Sequence, residues 1–480
     1  MKLIRFSAAP EGDNGEEFDA IRLYDESGGP LTDGARGRKH LTDLTTETFG
    51  HLIAPGEDLQ KAMARDLGDF RPGRVIVLTH GFEYDPLEGL APEPGAQPNP
   101  HNAIFHDRPD LAPHEEHLYH TTPWLSRLEL REDDLVIAYA FASDPAGLSL
   151  MPPGGGLRGE WRRSSRRFFS RAGIGGVRQN IFAHAYEMAG NYALGLAGVL
   201  AALADRLAAR PGGGSAPVSL IAHSLGTRVV TAALRLLSLR HAETAAIEGI
   251  DRVLFLASAL SPLQVEGLAR DLSAVPGRDA AAIEFFNFTS SRDFVLKRIA
   301  APLAMDIGRR IEARLGDPDF EVASGGATPR PPHPGWLIFN NLLRSTPVVG
   351  VHGPGAAAEG LSWIDIPLDH PETRAWGAGL GFDLVGDITE CWQDHWVHYT
   401  HAPNWALYRR ILEDPAEWSV EAIRNGTPDG RSPLAARPGE RYRPVRVSAA
   451  AQTAGSRASG GSDPAPGAGG AAEPAAGGGG

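Results

Sequence analysis

The sequence predicts an α/β fold, a mostly parallel sheet with helices packed on both faces. Two patterns carry that expectation. Short apolar runs such as GRVIVLTHG (73–81) and PVSLIAHS (217–224) are too continuously hydrophobic for strands with one wet face, so they belong to a sheet covered on both sides. They alternate with longer segments whose apolar residues recur at helical spacing, which is the rhythm of β-α-β units.

The elements follow in chain order. MKLIRFSA and FDAIRLYD read as two early strands, and residues 56–70 as a helix. GRVIVLTHG (73–81) and DLVIAYAFAS (134–143) read as buried strands. Residues 180–210 read as one long helix closed by PGGG. PVSLIAHS (217–224) is a strand that feeds a helix over 225–240. Strands at 250–260 and 283–290, and a last one at 361–368, complete the sheet. Two stretches break the rhythm: 146–179, with a cluster of arginines, and the Pro/Gly-rich 297–360. Both read as loop or lid insertions at strand ends. One domain over 1–446 therefore carries the fold, and the Ala/Gly-rich residues 447–480 are expected to be disordered, having too little apolar surface to bury.

Composition excludes several classes of function. The net charge of −13 argues against a nucleic-acid partner, since phosphate binding needs a basic face. One cysteine, Cys391, leaves no intrachain disulfide and no cysteine-rich metal centre. The N-terminal apolar stretch is too short for a secretory signal. The longest weakly charged run, Ala189–Ala204, falls short of the ~18–20 apolar residues that span a bilayer. A cytoplasmic protein without a transmembrane segment is the expectation. Five histidines lie within 101–120, and His114, His117 and His120 recur every third residue. That spacing is not a specific ligand pattern, so no metal is expected there and the segment reads as an irregular loop.

The stretch SLIAHSLGTRVV (219–230) carries the chemistry. Ala222-His223-Ser224-Leu225-Gly226 is a variant of G-x-S-x-G, set where a buried strand turns directly into a helix. Small residues two positions either side of the serine let strand and helix pass closely. The turn pushes the hydroxyl outward and leaves the N–H of Leu225 at a helix N-terminus, where developing negative charge is stabilised.

With RVIVLTHGFEYDP (74–86), this stretch resembles the α/β-hydrolase superfamily, and within it a bacterial-type group. The resemblance implies an α/β-hydrolase fold and a Ser-acid-His triad in that chain order. Ser224 matches the nucleophile. Gly81 matches the glycine that lets the backbone approach the substrate, and Phe82 the residue whose N–H joins that of Leu225 in the oxyanion hole. The acid should follow the second strand after the elbow, where Asp293 stands. Asp293 also reads as a helix-start residue. The histidine should follow the last strand, in a polar-aromatic turn before the last helix. His395 fits that place, with His398 as the alternative and His401 or His370 behind it. Asp251 lies at the wrong end of a strand. The activity implied is lipase- or esterase-like hydrolysis of a small-molecule or lipid ester through an acyl-enzyme, chemistry that needs no cofactor. The alternative is a binding protein of the same fold without catalysis.

Overall fold

The computed structural model describes residues 1–11, 20–25, 30–31, 57–81, 104–105, 123–143, 177–209, 216–239, 244–293, 295–297, 348–385 and 393–425. The chain divides into two units, Met1–Arg441 and Tyr442–Gly480, and all described residues lie in the first. The arginine cluster within 146–179, most of 297–360, the histidines of 101–120 and the segment 447–480 lie outside the described residues.

A nine-stranded sheet organises the first unit, in the order β3-β2-β1-β5-β4-β6-β7-β8-β9. The strands are β1 (Lys2–Glu11), β2 (Ala20–Tyr24), β3 (Pro30–Leu31), β4 (Arg74–Thr79), β5 (Asp134–Phe141), β6 (Val218–His223), β7 (Ile250–Leu256), β8 (Glu284–Thr289) and β9 (Ser362–Pro367). Along the order from β1 to β9 every neighbouring pair is parallel; at the other edge β2 pairs antiparallel with both β1 and β3. β5 lies on one side of β4 and β6 on the other. The chain thus reverses its direction of travel across the sheet at β4, and a crevice opens there beyond the strands' carboxyl ends.

Side-chain alternation sorts the two faces. Val75 and Val77 of β4 enter one apolar layer, Ile76 and Leu78 the other, and β5 divides likewise into Leu135, Ile137 and Tyr139 against Val136 and Ala138. The first layer is covered by α1 (Glu57–Leu67), α3 (Val177–Ala208), α4 (Leu225–Leu239) and α6 (Pro262–Ser273), and the short α5 (Thr244–Glu248) adds to its edge. On the second layer lie α2 (Trp124–Arg127), α8 (Pro371–Gly379), α9 (Gln393–Thr400), α10 (Ala402–Glu413) and α11 (Val420–Asn425). Burial on both faces is why these strands read as unbroken apolar runs.

Two expectations need correction. Residues 348–360 are not loop decoration. Val348, Val349 and Val351 are buried in the first layer, and α7 (Val349–His352) is tied to β8 where Ser290 N–H donates to Gly350 C=O at 3.1 Å. Residues 393–400 are helical rather than a turn: His395, His398 and Tyr399, at i, i+3 and i+4, lie on one face and are buried together. Among the described residues, no helix is long and apolar enough to cross a membrane.

Candidate active site

The turn between β6 and α4 sets Ser224 at φ +51°, a region that side chains other than glycine rarely occupy. Such strain costs about 1–3 kcal/mol and persists only where surrounding contacts hold it. Here they are dense. Ser224 N–H donates to Leu256 C=O at 2.9 Å, and Ser224 C=O accepts from Thr227 N–H at 3.1 Å and from the Thr227 hydroxyl at 2.6 Å. The turn also demands a glycine two residues on. A Cβ on Gly226 would lie 2.2 Å from the carbonyl oxygen of His80 and 2.7 Å from that of Thr79. The first turn of α4 thus lies directly against the end of β4.

The structure brings Ser224, Asp293 and His395 together. His395 Nδ1 lies 2.7 Å from Asp293 Oδ2, and Nε2 lies 2.9 Å from Ser224 Oγ. A carboxylate only accepts, so Nδ1–H donates to Asp293 and Nε2 is left to accept the serine proton. All three side chains are buried. Asp293 sits in the turn after β8, where its Oδ1 accepts from Leu296 N–H at 2.8 Å. One oxygen thus caps a turn while the other meets the imidazole. His395 projects from the first turn of α9.

The neighbouring histidines have other places. His223 Nε2–H donates to the backbone carbonyl of His395 at 3.1 Å, and its ring packs edge-on to Tyr399. Burial, reinforced by His395, pushes its pKa well below the usual histidine range. His398 is fully buried, and among the described residues neither ring nitrogen has a hydrogen-bond partner. Burial lowers its pKa to about 4 despite the field of Asp293, so it stays neutral at physiological pH. His401 is the N-cap residue of α10, and its pKa too is lowered, first by burial and then by Arg127. His370 caps α8, where its side chain accepts from Glu372 N–H. Asp251 lies in β7 near its start and accepts from Ser219 Oγ at 3.1 Å, at the far end of the sheet.

Gly81 follows β4 and lies against the elbow. A Cβ there would lie 2.8 Å from His223 Nδ1 and 2.9 Å from Ser224 Cβ, so only glycine allows this approach. Leu225, named from sequence for its backbone N–H, is the first residue of α4 and is buried. Phe82 lies outside the described residues. Two further side chains bear on this turn, His80 from the His-Gly pair and Ser143, which the sequence reading did not single out. His80 Nδ1 lies 2.7 Å from Gly81 C=O, and Ser143 Oγ donates to the same carbonyl at 2.7 Å. Ser143 ends the run DLVIAYAFAS, so the rule that ligands gather beyond strand ends pointed to it.

Among the described residues, no group of three or more His, Cys, Asp or Glu side chains could hold a metal ion. An apolar hollow of about 300 Å³, lined by Leu200, Leu203, Leu207, Val218 and Ala246, lies at the opposite end of β6 from Ser224. Comparison of the chain with protein-family models, curated proteins and solved structures returns no match.

Proposed function

We propose that this chain is a serine hydrolase of the α/β-hydrolase type, cleaving a carboxylic ester of a small molecule or lipid through an acyl-enzyme. The observation that carries the reading is the continuous relay from Asp293 through His395 to the Ser224 hydroxyl, with links of 2.7 and 2.9 Å. Further support comes from the strained elbow and from the chain order. The acid follows the second strand after the elbow, and the histidine follows the last strand of the sheet.

The steps follow from the geometry. Ser224 Oγ attacks the ester carbonyl carbon as its proton passes to His395 Nε2, and the carbonyl π-electrons move to oxygen. The resulting imidazolium is stabilised by Asp293, which also keeps the ring in the required tautomer. Backbone N–H groups, that of Leu225 at the start of α4 and that of Phe82, receive the oxyanion. Collapse expels the alkoxide, which takes the proton from His395. Water, deprotonated in turn by His395, then releases the acid and restores Ser224. His398 and His223, both held neutral, leave His395 as the group that carries the cation.

Labelling with a fluorophosphonate, on wild type and on Ser224→Ala, tests the reading, with the adduct mapped by mass spectrometry. One adduct on Ser224, lost in the variant, is the expected result. A folded wild type that takes no label would turn the reading toward a binding protein of the same fold.

A further inference from the structure

Glycine at position 81 solves one problem and creates another. It permits contact with the elbow, yet a peptide next to glycine is free to rotate because both signs of φ are open to it. A donor on that peptide would wander unless something held it. The structure supplies two holders on a single oxygen. The Gly81 carbonyl accepts from His80 Nδ1–H and from Ser143 Oγ–H, each at 2.7 Å. The tautomer of His80 follows from its other nitrogen, which accepts Phe141 N–H at 2.9 Å and so carries no proton. The His80 ring is stacked on Phe141, with centroids 4.3 Å apart and planes at 13°. The end of β5 thus clamps this peptide twice, through Phe141 by way of His80, and through Ser143 directly. Both clamping side chains are buried.

One donor would already satisfy a buried carbonyl. The second fills the remaining lone pair and removes the freedom to turn. In a planar trans peptide the N–H points opposite to the C=O. Holding the Gly81 oxygen at two points therefore restrains rotation of the whole peptide plane.

Resting on the hydrolase reading, we infer that Ser143 is a positioning residue. By holding the Gly81 carbonyl it fixes the backbone N–H that receives the oxyanion. It touches no reacting atom; its effect passes through one peptide group. Removing it should weaken stabilisation of the transition state while leaving substrate binding nearly unchanged.

The experiment is the rate of Ser224 labelling by a fluorophosphonate, resolved into binding and reaction steps. In that reaction the Oγ–P bond forms, fluoride leaves and His395 takes the proton, so the phosphoryl oxygen probes the oxyanion donors. Deleting a donor outright costs about 100- to 1,000-fold in such sites. A donor left in place but loosened should cost less, about 10-fold in the maximal labelling rate of Ser143→Ala, with half-saturation unchanged. Ser143→Thr, which keeps the hydroxyl, should recover most of the rate. Ser143→Cys, close in size but a weak donor, should fall between and serves if the alanine variant does not fold. A wild type that labels beside alanine and cysteine variants that label equally fast would overturn this inference alone. A shift confined to half-saturation would do the same. A wild type that never labels on Ser224 would overturn the hydrolase reading and this inference with it.

Discussion

Three side chains whose titration is shifted by burial respond to pH in opposite senses. His398 has a pKa of about 4 when folded, against 6.5 for an ordinary histidine. Between those values the unfolded chain binds the proton and the folded chain does not, so this contribution to stability rises with pH. His223, shifted in the same direction by burial, adds to it. Asp365 in β9 opposes them. Burial raises its pKa from 3.8 to about 6, although its Oδ1 accepts from Asn287 at 2.7 Å and from the Trp363 indole at 2.9 Å. The fold prefers the protonated acid, so stability from this group is full below pH 3.8 and lost as pH rises to about 6. Asp365→Asn mimics the neutral acid and keeps an acceptor for both donors. Urea midpoints should then be equal to wild type near pH 4 and higher in the variant at pH 8, corresponding to an unfolding free energy larger by about 3 kcal/mol. The variant's stability should also climb more steeply with pH through the acid range, because the opposing slope is gone. Equal midpoints at pH 8 would mean that the carboxylate carries no desolvation cost.

At the scale of an element, the β6–α4 turn depends on how closely α4 passes β4. Gly226→Ala would drive a methyl group into backbone at 2.2 Å from His80 O. Backbone cannot rotate aside as a side chain can, so the variant should lose at least ~1–3 kcal/mol. It should also label more slowly at Ser224, since the displaced His80 carbonyl adjoins the Gly81 peptide. Thermal melting and labelling rate check both, and a variant with wild-type values would show that the turn has slack. This turn is legible in sequence because its demands fall on consecutive residues: small at 222, serine at 224, glycine at 226. The helix that carries His395 is not. QDHWVHYT mixes polar and aromatic residues without a clear period, and packing of Tyr399 into the second layer decides its form. α6 left a readable trace that went unused. Ser261 and Gln264 have capping-box spacing, and Gln264 Oε1 does accept from Ser261 N–H at 3.0 Å.

Across the whole molecule, three short segments far apart in sequence meet at one point. Ser224 lies 171 residues from His395, and His395 lies 102 from Asp293. The order of the sheet was not readable from local pattern, because nothing in β4 or β5 records that the later strand lies between β1 and the earlier one. What local pattern does carry is the list of strand ends, and the three side chains stand beyond such ends. His395 reaches the site from the helical layer that also buries Trp124, Trp376, Trp405 and Trp418. Tyr399, on the same helix as His395, packs against Trp124, with centroids 5.6 Å apart. The relay should therefore persist as long as that layer stays on the sheet. In a urea titration, labelling of Ser224 and tryptophan emission should fall with one midpoint, because the reaction needs the helix that the indoles report. Labelling lost at lower urea, with emission unchanged, would mean that the site opens as a local unit while the layer holds.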